Sequence, residues 1–233
     1  MKPASLLVVL ALLSSPCLAE ETRAVPRLLQ DGDGAVIRIT LAAGYKTYWR
    51  MPGETGVAPR FDWQGSQNLK SAVVDMPAPR RHADPDGDTV GYAGAVDWPV
   101  RIEAADPARP VQLKLLLDYA VCEKLCIPLQ ASLAGEPAPQ GTHAAALAQL
   151  PRPLDGVSAR LVPQGLEVAL PVAAEDIFVE PEGVLAYFRK PERVAEGRYL
   201  LPGVGDFADL AGKTLRLTII SQGAGFVSSI TVQ

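Results

Sequence analysis

The sequence predicts an all-β protein: two immunoglobulin-like antiparallel β-sandwiches joined by a short Pro/Ala-rich segment carrying a short helix. Three observations carry that expectation. Short apolar runs rich in β-branched residues recur along the chain, separated by Gly, Pro, Asp and Asn. The chain holds 21 Pro and 20 Gly in 233 residues; proline lacks a backbone donor and breaks helix interiors but sits readily at strand edges and turns. No helical periodicity links one run to the next, which argues against parallel βαβ units.

The first element is an address. Lys2, an apolar run over 5–13, and then Ser14, Ser15, Pro16, Cys17, Leu18 and Ala19 read as a secretory signal peptide, residues 1–19. The run is too short to span a bilayer, which takes about 20 apolar residues. Pro16 directly before Cys17 spoils the small-residue pattern of a lipoprotein. No later segment is long and apolar enough to cross a membrane, so the mature chain is expected to be soluble, exported and exposed to oxidising chemistry.

Strands are expected near 35–41, 46–49, 60–63, 69–74, 96–102, 111–121 and 127–134, within a first domain over 24–135. Val36, Arg38 and Thr40 alternate with Ile37, Ile39 and Leu41, the period-two pattern of a strand buried on one face. Residues 136–156 turn to Pro, Ala and Gly, with Thr142 placed to cap a helix running to Leu150 and Pro151 placed to stop it. Strands resume near 159–161, 166–170, 177–180, 185–188, 198–201, 215–221 and 226–232, a second β-sandwich over 157–233. Each half is near the roughly 100-residue size of an immunoglobulin-type sandwich.

Composition excludes several functions. Hydrophobic residues at 48% and charged residues at 21% are ordinary for a globular chain. A net charge of −4 argues against nucleic acid as a partner, and Arg80-Arg81-His82 is too short for a phosphate-binding patch. His82 and His143 stand alone and read as surface residues. Gly203-Val204-Gly205 lacks the third glycine of a dinucleotide loop, and no serine sits in a G-x-S-x-G elbow. Asp84, Asp86 and Asp88 imitate the start of a calcium loop, but Thr89 stands where glycine is required and no glutamate closes it. They read as a solvated turn.

The mature chain keeps two cysteines, in Tyr119-Ala120-Val121-Cys122-Glu123-Lys124-Leu125-Cys126-Ile127-Pro128. A long apolar strand runs into Cys122 and another leaves from Cys126, and three residues between them suit a hairpin. That places the thiols opposite each other, inside the roughly 4.4–6.8 Å Cα window of a disulfide. As a staple the bridge would do little, about 2 kcal/mol for so small a ring against about 4.7 for a 100-residue loop. A small ring at an exposed tip favours a bond that opens and closes. A structural bridge is the plain alternative. A Cu(I) site on two thiolates, with Met51 or Met76 as thioether, is the third, although the spacing brings neither methionine close.

The chain resembles the periplasmic N-terminal region of the DsbD/ScsB family of thiol:disulfide interchange proteins. The resemblance rests on Gly44-Tyr45-Lys46-Thr47-Tyr48-Trp49-Arg50 with Pro52-Gly53, on Phe61-Asp62-Trp63, on Gly91-Tyr92-Ala93-Gly94 through Pro99, and on the Tyr119–Pro128 segment. It covers most of 24–135, and the second half matches loosely as a further β domain of the ScsB-like kind. The resemblance implies that Cys122 and Cys126 are the redox pair, with Cys126 the nucleophile and Cys122 the resolving thiol. It implies a loop over 84–92 shielding the pair through Tyr92, with Tyr45 and Tyr48 in support. It implies a periplasmic protein that takes two electrons from a thioredoxin-like or membrane-embedded donor and passes them to oxidised envelope proteins, with no cofactor or metal. Fuller family members continue into transmembrane helices and a thioredoxin-like domain. Neither follows Gln233, so the chain is expected to receive electrons from a separate partner, or to be a fragment or a specialised adaptor. The rival function is a β-sandwich adaptor whose cysteines are structural or hold copper.

Overall fold

A computed structural model describes residues 23–233 apart from 33, 85, 86, 182 and 185. The expected signal peptide, with Cys17, lies outside the described residues, as do Pro85 and Asp86 of the expected shielding loop.

Among the described residues eleven strands precede the helix: β1 (Ala24–Asp31), β2 (Gly34–Leu41), β3 (Lys46–Gly53), β4 (Arg60–Asp62), β5 (Leu69–Val74), β6 (Arg80–Asp84), β7 (Gly87–Ala93), β8 (Ala95–Ala104), β9 (Lys114–Cys122), β10 (Cys126–Ala134) and the two-residue β11 (Glu136–Pro137). They form one sheet in the order β11-β1-β2-β8-β5 and another in the order β10-β9-β3-β7-β6, with β4 also on β9. The two sheets close on a single core, Leu28, Ile37, Ile39 and Trp98 facing Trp49, Tyr92, Leu115 and Leu117. Trp98 is fully buried, with Phe61 meeting its ring edge-on at 5.8 Å. Fully burying an aliphatic or aromatic side chain contributes about 1.5–3 kcal/mol, so this shared face is what holds the two sheets together.

The helix α1 (Thr142–Leu147) lays Ala146 on Leu29 and Val36 at the back of the first sheet. It is shorter than expected and differently capped. Gly141, at φ 90°, occupies the cap position, and the Thr142 hydroxyl instead donates to the Pro139 carbonyl at 2.7 Å. Nine strands follow: β12 (Arg152–Pro153), β13 (Ser158–Val162), β14 (Gly165–Ala169), β15 (Asp176–Glu180), β16 (Ala186–Phe188), β17 (Glu192–Ala195), β18 (Arg198–Gly205), β19 (Thr214–Ser221) and β20 (Ala224–Thr231). They make the sheets β12-β20-β19-β15 and β13-β14-β18-β16, with β17 on β18. Leu166, Val168 and Leu201 meet Ile177, Leu217 and Ile219 in a second core. Among the described residues every ladder is antiparallel except the two-residue pairings of β11 with β1 and β12 with β20.

The fold departs from the sequence reading at β1, at the hairpin β6–β7 and at β17, none of them expected as a strand. Pro26 interrupts the alternation in β1. The stretch read as a shielding loop, 84–92, is instead mostly β7, which pairs with the edge strand β6. Charged and polar residues are normal on an edge strand, which need bury only one side.

Candidate functional site: two thiols at a hairpin tip

β9 sends Leu115, Leu117, Tyr119 and Val121 into the core, so Lys114, Leu116, Asp118, Ala120 and Cys122 line the opposite face. β10 does the same with Ile127, Leu129, Ala131 and Leu133, which leaves Cys126, Pro128 and Gln130 outward. A one-residue slip would turn both apolar rows out into water, so burial pins the register. The ladder pairs Cys126 with Cys122, Pro128 with Ala120 and Gln130 with Asp118. The last pair is also joined by a Gln130 Nε2 donation to Asp118 Oδ1 at 2.6 Å. Directly opposed residues of an antiparallel pair have Cα atoms roughly 4.5–5.5 Å apart, inside the disulfide range. Both cysteines are free thiols here, Cys122 buried and Cys126 exposed.

The connecting residues Glu123, Lys124 and Leu125 are all exposed, Leu125 by 73%. On the other side of β9 stands β3, whose Lys46 is paired with Cys122 and in turn with Ala93 of β7. One row across four strands therefore reads Cys126, Cys122, Lys46, Ala93. Tyr48, two residues along β3, shares a small buried cluster with Ala120 and Cys122, and its hydroxyl lies 2.8 Å from Cys126 Sγ. The intervening Thr47 donates its hydroxyl to the Ala120 carbonyl at 2.9 Å, tying β3 to β9. β7 comes so close to β3 that a Cβ on Gly91 would stand 1.9 Å from the Thr47 carbonyl oxygen. Only glycine leaves room there.

Electrostatics act on the sheltered sulfur. Burial pushes the Cys122 thiol up, the hydrogen bond with Cys126 adds to that, and the Tyr48 hydroxyl and the Lys46 charge oppose it. Tyr48 is raised above the ordinary tyrosine range, chiefly by burial and then by its contacts with the two sulfurs. Its phenol therefore keeps its proton and is a standing donor to a Cys126 thiolate. The site thus pairs an accessible sulfur with a sheltered one and supplies a neutral hydroxyl to the accessible one.

Of the three tyrosines expected around the thiols, the structure brings only Tyr48 to them. Tyr92 points into the core between the sheets, its hydroxyl donating to the Pro77 carbonyl at 2.8 Å and its ring 6.1 Å from Trp98. The expected shield over the cysteines is therefore corrected: alternation along β7 puts Tyr92 on the face opposite Gly91, away from the sulfurs. Tyr45 packs against the same core and borders a cleft of about 370 Å³ beside the tip, with Lys46, His82 and Glu123. The residue that sequence reasoning did not single out is Lys46. Its place beside Cys122 depends on the β3–β9 register, which no local pattern reveals.

Met51 and Met76 belong to the core between the sheets rather than to the Cys122 cluster. Among the described residues no group of three or more His, Cys, Asp or Glu is placed to hold a metal ion. Asp88 approaches Arg81 at 3.6 Å. His143 packs over Gly34, where a Cβ would meet its ring at 2.0 Å.

An all-β chain with two thiols opposed at a hairpin tip is a thiol–disulfide interchange module in its geometry. The chain belongs to the family described as thiol:disulfide interchange protein DsbD, N-terminal, whose model matches residues 14–137, more than half of the sequence. It is similar to the N-terminal periplasmic domain of ScsB from Proteus mirabilis, at 26% identity, a TM-score of 0.72, and coverage of 90% of this chain and 91% of that one. A weaker likeness, 19% identical with a TM-score of 0.33, covers 48% of this chain and 83% of the reduced DsbD N-terminal domain from Neisseria meningitidis. No curated protein matches. Among the described residues no helix is long and apolar enough to cross a membrane.

Proposed function

We propose that this chain is an exported, periplasmic thiol–disulfide exchange protein that relays two electrons through Cys122 and Cys126. The donor is a thioredoxin-like or membrane-embedded dithiol and the acceptor an oxidised envelope protein. What supports the reading most is a single observation: Cys122 and Cys126 close the β9–β10 ladder as directly opposed residues, one buried and one exposed. Residues 1–19 are its signal peptide, 24–135 the exchange domain, 136–156 a connector and 157–233 a second immunoglobulin-like domain. The two cores, which meet at Phe178, support that division.

The exposed sulfur is the one a partner reaches. In the reducing half-reaction a donor thiolate attacks Cys126 of the disulfide, Cys122 leaves as a thiolate and takes up a proton. The donor's second thiolate then attacks the donor sulfur of the mixed disulfide and frees Cys126. In the other half-reaction the Cys126 thiolate attacks an acceptor disulfide, expelling one acceptor thiol. Cys122 then attacks Cys126, restoring the internal bond and releasing the second acceptor thiol. Two electrons and two protons pass in each half-reaction, always from donor to acceptor. The Tyr48 hydroxyl stabilises Cys126 whenever it carries charge as attacker or leaving group.

The test is Cys122→Ser incubated with a thioredoxin-fold protein whose resolving cysteine is replaced by Ser and whose remaining cysteine carries a thionitrobenzoate leaving group, which Cys126 displaces. The expected result is a covalent complex through Cys126 that reducing agent dissolves, absent in Cys126→Ser. No complex with either variant, or one that forms only through Cys122, overturns the assignment.

A further inference from the structure

β15 reads Asp176-Ile177-Phe178-Val179-Glu180. Successive strand residues point to opposite faces, and here the two faces serve different cores. Ile177 and Val179 enter the C-terminal core. Phe178 belongs to the N-terminal core, and Asp176 and Glu180 flank it on that same face.

Each of the three takes hold of the sheet that carries the thiols. Asp176 accepts from Arg81 Nε at 3.0 Å and Nη2 at 3.1 Å. Glu180 accepts from Arg50 Nε at 2.6 Å and Nη2 at 2.9 Å. The Phe178 ring meets Trp49 edge-on at 5.8 Å. The Arg81 and Asp176 side chains are only 9% and 14% exposed, so their pairing is screened far less than a surface ion pair. The Arg50 guanidinium also lies 4.4 Å over the Trp49 ring.

Trp49 and Arg50 directly follow Tyr48 in the chain. At that point β3 loses its regular ladder. Its pairing with β9 covers Lys46 and Thr47, and its pairing with β7 shifts register between Tyr48 and Gly53. The two residues beyond Tyr48 are instead held by β15, Trp49 by Phe178 and Arg50 by Glu180. A contact of 2.8 Å to sulfur does not survive a shift of much more than an ångström.

We propose that β15 is a brace for β3: by gripping Trp49 and Arg50 it sets where the Tyr48 hydroxyl stands against Cys126. The C-terminal sheets then have a role in the exchange site without contributing an atom to it, and Phe178 and Glu180 are positioning residues. The functional meaning rests on the proposed exchange reaction, but the contact itself is measurable without it.

The experiment is a double-mutant cycle in the mature Cys122→Ser chain, residues 20–233, where Cys126 is the sole remaining thiol, read as the rate of alkylation by iodoacetamide across pH. Tyr48→Phe removes the donor directly and slows alkylation near neutral pH by about threefold. Phe178→Ala and Glu180→Gln are expected to slow it by at least half as much, and to add nothing once Tyr48 is already Phe. Phe178→Leu, which keeps an apolar contact, restores most of the rate. Wild-type rates in folded Phe178→Ala or Glu180→Gln overturn the brace, as do effects that multiply with Tyr48→Phe. If Phe178→Ala does not fold, Glu180→Gln, which keeps the shape of the side chain, decides alone. Failure of the exchange reading would show separately, as an inability of Cys122 and Cys126 to bond in glutathione buffers while this alkylation pattern persists.

Discussion

Replacing Tyr48 by Phe removes one oxygen from the site and little else. The ring is 1% exposed and packed by Ala120 and Cys122, and phenylalanine keeps that packing. What disappears is the 2.8 Å contact with Cys126 Sγ. Cys126 is exposed, so water takes the vacated place and no buried partner is orphaned. The loss then sits in the middle of the net hydrogen-bond range, about 1 kcal/mol. A thiol or thiolate is the better hydrogen-bond partner for the phenol, so the loss falls on the dithiol form. Destabilising that form by about 1 kcal/mol makes the pair about fivefold harder to reduce, a shift of roughly 20 mV toward more negative potential. The assay is equilibration in buffers of graded reduced-to-oxidised glutathione, acid quenching, and alkylation of the remaining thiols. The variant's midpoint should need a buffer about fivefold more reducing than the parent's. A midpoint that does not move, or moves the other way, refutes a supporting role for the hydroxyl.

Lys46→Met removes the charge that opposes the rise of the Cys122 thiol. In a Cys126→Ser background the thiolate absorbance of Cys122 should therefore appear at higher pH, while Lys46→Arg should leave it near its starting point; equal titrations for all three would contradict the electrostatic account. The reduced protein should also lose stability in alkali. Folded Cys122 holds its proton more tightly than the unfolded thiol, so its contribution is complete below the unfolded value of about 8.5 and is lost as pH rises through the folded one. Urea unfolding should show the reduced form weakening above pH about 8.5 by up to about 1.4 kcal/mol per pH unit relative to the oxidised form, and parallel curves for the two forms would contradict it. Gly91→Ala forces a Cβ against the Thr47 carbonyl; the strain should cost about 1–3 kcal/mol, read as a lower urea midpoint, and an unchanged midpoint would show that β3 and β7 part freely.

The hairpin that bears the thiols was the most legible part of the chain. Long apolar alternation up to Cys122 and away from Cys126 leaves one register that buries both strands, and the structure adopts it. β1 and the β6–β7 hairpin were illegible for opposite reasons. Pro26 breaks the pattern in one, and in the other the charges of an edge strand and a Pro/Asp/Gly turn look like loop. That error carried Tyr92 to the wrong face, since a residue taken as part of a loop has no defined side. Lys46 and Tyr48 differ similarly. Tyr48 was visible as part of an aromatic motif, whereas the proximity of Lys46 to Cys122 arises only when β3 and β9, more than 70 residues apart, are set side by side. The alternation Asp-Ile-Phe-Val-Glu in β15 marks a strand with one apolar face, but nothing in it says that Phe178 would complete the other core.

The central claim is that sulfurs 122 and 126 interconvert between bonded and free states, and intact mass after exposure to glutathione buffers tests it most directly. Loss of two hydrogens in oxidising buffer, their full return in reducing buffer, and a single glutathione adduct on Cys126 in Cys122→Ser are the predicted results. A pair that stays free in oxidising buffer, or stays bonded under strongly reducing conditions, would contradict the account.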